Sequence, residues 1–170
     1  MRSRLLLTLT ALSLLAAPLA RADSPTPNML LINPGDLLGG VVSIEYERAL
    51  ASWFGLTVGA SVWAFRGPFV FPGTPAYTAF GPELGARFHF FRDAPGGFWL
   101  GPYLSAGYVF SRDSGVLARP WSWGLGAALG YNFIIGRHFT FQIGAGGGFT
   151  DYGDVLVWSP RLRLGIGAAF

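Results

Sequence analysis

The last ten residues, Arg161 to Phe170, alternate without a break. Even positions hold Leu162, Leu164, Ile166, Ala168 and Phe170, and odd positions hold Arg161, Arg163, Gly165, Gly167 and Ala169. Successive side chains of a strand point to opposite faces, so this segment has one wholly apolar face and one charged, small face. Six more segments repeat the pattern. Val42, Ile44 and Tyr46 alternate with Ser43, Glu45 and Glu47; Phe54 to Val62 with Gly55 to Ser61; Leu84, Ala86, Phe88 and Phe90 with Glu83, Gly85, Arg87 and His89. The segments around Leu100–Tyr108, Trp123–Tyr131 and Phe141–Phe149 do the same. The chain is therefore expected to be all-β, built as a sheet with one large apolar face.

Which face meets solvent follows from composition. Hydrophobic residues make up 51% of the chain and charged residues 12%, yet beyond the first twenty residues no uncharged apolar run reaches the length of a spanning helix. The 25 glycines also disfavour helix. A soluble barrel would bury its large face and show charges to water. Here the small face is mostly Gly, Ala, Ser and Thr, which suits the cramped interior of a narrow barrel. The large face then meets lipid, and a closed barrel is the only sheet that can do so without exposing unpaired backbone.

At the N-terminus, Arg2 and Arg4 precede the apolar run Leu5–Ala17, which is too short to span, and Ala20-Arg21-Ala22 forms an A-x-A cleavage site. Residues 1–22 read as a secretory signal peptide, 23–28 as a proline-containing leader, and 29–170 as the barrel. Without Arg2, Arg4 and Arg21 the charges nearly balance, so the net charge of +3 is no argument for nucleic acid. The absence of cysteine excludes disulfides, cysteine metal sites and a lipidated N-terminal cysteine.

Connections alternate in length. Ala49–Ser52, Arg92–Gly97 and Ile134–His138 are short; Arg66–Tyr77, Ser111–Pro120 and Thr150–Val157 are longer. Short periplasmic turns, long external loops and periplasmic termini require an even strand count, so Asn28–Asn33 is read as the first of eight, followed by a turn at Pro34-Gly35-Asp36. Aromatics bracket the strands (Phe80 and Phe90/Phe91; Phe98/Trp99 and Phe110; Trp121/Trp123 and Phe133; Phe139 and Phe149), as interfacial belts require. Gly81-Pro82-Glu83-Leu84 and Gly101-Pro102-Tyr103-Leu104 form a weak repeat, and Pro102, deeper in its strand, predicts a bulge.

With these segments in place, the chain resembles the small eight-stranded outer-membrane β-barrels of the OmpA/OmpX-like class. The stretch Pro34 to Gly39 with Ile44-Glu45-Tyr46-Glu47-Arg48-Ala49-Leu50 resembles the opening of barrel families of unknown function. The closing strand, with Leu162, Leu164, Ile166 and the terminal Phe170, resembles the signal read by the barrel-assembly machinery. The resemblance implies an eight-stranded antiparallel transmembrane β-barrel in the outer membrane of a Gram-negative cell envelope. It also implies the secretion and barrel-assembly machinery, membrane lipid and lipopolysaccharide as partners. It implies no oligomeric state.

The chemistry lies on the small face. Glu45, Glu47, Glu83, Arg87, His89, Arg161 and Arg163 point inward by parity, and buried charges must pair or meet lumen water. Strand direction predicts two layers: Glu83 with Arg161 or Arg163 in the outer half, and Glu45 and Glu47 with Arg87 and His89 nearer the periplasm. The expected role is a structural or surface-interaction protein of the envelope with a plugged lumen; the alternative is a narrow, porin-like passive channel for small solutes. An adhesin would rest on outer loops that name no partner. Enzymatic activity is not expected: His89 and His138 both fall at the periplasmic end, have no nucleophile pattern beside them and lack metal-ligand spacing. No catalytic residue, metal or cofactor is assigned. Arg66, Arg112 and Arg119, in or beside the outer loops, are candidate contacts for lipopolysaccharide phosphates.

Overall fold

In the computed structural model, which describes residues 26–34, 41–64, 77–112, 121–151 and 156–170, every alternating segment is a strand. They are β1 (Asn28–Asn33), β2 (Val41–Ala51), β3 (Phe54–Ala64), β4 (Tyr77–Phe90), β5 (Gly97–Arg112), β6 (Trp121–Ile135), β7 (Phe139–Asp151) and β8 (Leu156–Ala169). Each pairs antiparallel with its sequence neighbour, and β1 pairs with β8, so the sheet closes into an eight-stranded barrel. Asn28–Asn33 is the first strand, as its place in the count requires.

Following the pairing from Met29 through Glu47, Thr57, Gly85, Tyr103, Gly126 and Gly148 reaches Ser159 on β8, about ten residues before Ala169, the partner of Met29. A stagger of that size tilts the strands and leaves a bore that side chains can fill. The bore is where the small face points: Glu45, Glu47, Thr57, Ser61, Glu83, Arg87, His89, Ser105, Gln142 and Arg163 are buried. Outside stand Ile44, Leu56, Val58, Leu84, Leu104, Leu125, Leu129, Ile143 and Ile166, all exposed. The usual order of a soluble fold is inverted.

Three tight connections join β2–β3, β4–β5 and β6–β7. In the last, Gly136 (φ +61°) and Arg137 (φ +84°) place two consecutive residues at positive φ, the pattern of a type I′ hairpin turn. Residues 65–76, 113–120 and 152–155 lie outside the described residues. So do the expected signal peptide, half of the expected leader, the expected turn after Pro34, and Arg66 and Arg119. Of Arg112 and Phe110 only the strand backbone is described.

Two expectations are corrected. Pro102 marks no bulge: Gly101, Pro102 and Tyr103 pair in unbroken register with Ala128, Ala127 and Gly126. The shift lies further along, where Thr78 pairs with Ser111 but Ala79 with Val109. Each proline instead interrupts pairing on the β4–β5 seam without changing its register. The preceding glycines explain how. A Cβ on Gly81 would strike the carbonyl of Ala106, and one on Gly101 the carbonyl of Ala86, so the two backbones approach closely where the ladder lapses. Trp99, in turn, is not part of an interfacial belt. It shares inward parity with Gly101 and Tyr103 and is 2% exposed, while its neighbour Phe98 faces out. Phe98 is half-buried, and the other bracketing aromatics with described side chains, among them Phe80, Phe90, Trp121, Phe133, Phe139 and Phe149, are exposed.

Candidate functional site

The site is the lumen, and its geometry follows from parity and register. β2 runs toward the short-turn end carrying Glu45 and then Glu47; β4 runs the same way with Glu83, Arg87 and His89; β8 does so with Arg161 and Arg163. Arg87 donates from Nη1 to Glu47 Oε2 at 2.6 Å and from Nη2 to Glu45 Oε1 at 2.5 Å. Arg163 donates from Nη1 to Glu45 Oε2 and from Nη2 to Glu83 Oε1, both at 2.5 Å. Arg161 reaches Glu83 Oε2. His89 Nε2 lies 2.6 Å from Glu47 Oε1. All seven residues singled out on the small face thus join one chain: His89, Glu47, Arg87, Glu45, Arg163, Glu83, Arg161. The two expected layers are not separate, because Arg163 reaches down to Glu45 as well as across to Glu83.

Forked guanidiniums alternating with carboxylates suit a narrow bore, since each Arg offers two parallel donors and each carboxylate two acceptors. Aromatic rings complete the packing. The guanidinium of Arg87 stacks 4.0 Å above the ring of Trp99, and those of Arg161 and Arg163 lie 5.2 and 5.5 Å from Tyr103. A void lined by Glu45, Thr57, Arg87, Trp99, Tyr103 and Arg163 has room for about one water.

Further residues pack toward each end of the bore. Toward the loops, Trp63 packs with Ala79 and Val109 inside the barrel. At the opposite end the β4–β5 turn folds into the mouth, and Ala94, Pro95 and Gly96 are buried. Asn132 Nδ2 donates to the Pro95 carbonyl at 2.7 Å, while Asn132 Oδ1 accepts from Trp99 Nε1 at 3.0 Å. The Ala94 amide donates to the Ser52 carbonyl at 2.7 Å, tying this turn to the neighbouring one.

Sequence reasoning missed Trp63, Trp99, Tyr103, Asn132 and the inserted turn. Parity alone would have turned the four side chains inward. The burial of the turn depends on contacts with β6 and the β2–β3 turn that no local signal carries. His138 stands apart in the β6–β7 turn, with Nδ1 3.2 Å from the Ala169 carbonyl. In the closing strand Leu162, Ile166 and Phe170 are exposed on the outer face and Leu164 is half-buried there. Phe170 exchanges backbone hydrogen bonds with Asn28 at 2.9 and 3.0 Å. Among the described residues no group of acidic, His or Cys side chains is arranged to hold a metal.

No protein-family model and no curated protein matches the chain. Among solved structures it is similar to the outer membrane protein Ail of Yersinia pestis, determined in a phospholipid bilayer nanodisc. The two share 17% identity over 85% of this chain and 99% of that one, with a TM-score of 0.48.

Proposed function

We propose that the chain is an integral outer-membrane barrel of a Gram-negative envelope, non-enzymatic, with a structural or surface-interaction role and a closed lumen. The observation that carries this reading is the inversion of the fold: large apolar side chains dominate the exterior of the described strands while the charges pair in the interior. An exterior of that kind has its solvent in hydrocarbon, and the seven strands β2 to β8, of 11 to 16 residues, are long enough to cross it when tilted. A bore filled by paired side chains, with the β4–β5 turn folded into one mouth, supports a lumen closed to solutes. Planar-bilayer recording of the refolded barrel tests the closed lumen. The protein should be electrically silent, and a steady ohmic conductance from single insertions would favour the narrow passive channel instead.

The outward face of β8 is suited to recognition by assembly machinery, because Leu162, Ile166 and Phe170 are presented together. Deleting Phe170 should lower the yield of heat-modifiable barrel in cells, and an unchanged yield would remove it from the signal. Lipopolysaccharide phosphates remain the partner class suggested by the sequence positions of Arg66, Arg112 and Arg119.

A further inference from the structure

We propose that His89 is a proton-dependent latch that holds the β4–β5 turn inside the mouth of the barrel. The inference goes beyond a plugged lumen and concerns how one end of the plug is held. The His89 ring is wholly buried, with Nε2 2.6 Å from Glu47 Oε1 and Nδ1 3.0 Å from the Gly96 carbonyl. A carbonyl can only accept. Glu47 accepts from Arg87 on its other oxygen, and as the carboxylate of that salt bridge it too can only accept. Both ring nitrogens must then donate, which only the imidazolium does.

The groups that face the ring are few. β2 supplies Glu47, and β4 supplies Arg87 through that carboxylate. The β2–β3 turn supplies the Trp53 carbonyl, which takes the His89 backbone amide at 2.8 Å. β5 pairs Trp99 against His89 and β6 brings Asn132 to the turn, neither of them charged. When the ring loses a proton, one nitrogen turns a lone pair on an acceptor. The carboxylate is the stronger acceptor and keeps its N–H; the Gly96 carbonyl loses its donor and meets a lone pair. The turn is then held only by neutral bonds from Asn132 and to Ser52. Closure of this end is therefore complete while His89 is charged and is lost as rising pH removes its proton.

The chain lacks cysteine, so single thiols report position cleanly. In the barrel folded into phosphatidylcholine–phosphatidylglycerol vesicles, maleimide labelling of Ala94→Cys, buried under the latch, is compared with that of exposed Asp93→Cys, which carries the thiol's own pH dependence. In parallel, 15N NMR of the ring nitrogens, assigned with His138→Gln, follows His89 in the otherwise unaltered protein. The labelling ratio should rise about tenfold across the pH range in which His89 loses its second ring proton, the change expected for losing one charge-assisted hydrogen bond. With His89→Gln the ratio should start high and stay constant. A ratio that stays flat while His89 titrates overturns the latch. So does a ring that carries one proton at the acid end of the range. A barrel that conducts would overturn the plug and leave these outcomes as they stand.

Discussion

Arg163 is the residue on which the lumen chain hinges. It bridges Glu45 and Glu83, whereas the Arg161 salt bridge goes to Glu83, and Arg161 is the more exposed of the two. Removing Arg163 leaves two buried carboxylates short of a partner. Arg163→Ala should therefore cost about 3–5 kcal/mol in urea unfolding from lipid vesicles, and Arg161→Ala clearly less. Equal losses would mean that the bridge to Glu45 contributes nothing. Lower in the bore, Arg87→Ala and Glu47→Gln should be non-additive, with a coupling of about 0.5–3 kcal/mol in a double-mutant cycle. Additive losses would contradict a shared, desolvated pair. That these charges point inward was legible from parity, because a strand allows two directions only. That Arg163 joins two strands at different heights was not, since it depends on the stagger of β8 against β2 and β4, two strands it does not pair with. Trp99 was misread for a similar reason. An aromatic at a strand end fits both a membrane belt and the bore, and its pairing opposite His89 decides the matter.

The strands themselves were the most legible level. The period of two, a small inward face and the even count that expected periplasmic termini require lead to eight antiparallel strands. The β4–β5 seam was harder. A proline inside a strand predicts an irregularity, but it does not say whether the register shifts or the ladder merely lapses. Here glycine before each proline lets the backbones close up, so the register holds. Gly101→Ala should push Ala86 away and cost about 1–3 kcal/mol in the same unfolding measurement. An unchanged midpoint would mean that the close approach is not needed. The insertion of Ala94–Gly96 in the β4–β5 turn was not legible, because its burial comes from Asn132, His89 and Ser52, which the sequence holds far apart.

For the whole molecule, the account rests on orientation: apolar side chains face lipid and the charged chain faces inward. An outward position in mid-strand should not tolerate charge, and Leu129→Arg should cost about 2–4 kcal/mol in vesicles. The most direct test compares two tryptophans in bilayers of brominated lipid. In a background whose other tryptophans are replaced by phenylalanine, one variant keeps Trp99, in the bore, and a second carries only Leu129→Trp, on the exterior. Bromine on the acyl chains should strongly quench the tryptophan at position 129 and leave Trp99 nearly as bright as in unbrominated lipid. Equal quenching at both positions, or quenching of Trp99 alone, would contradict the inside-out barrel.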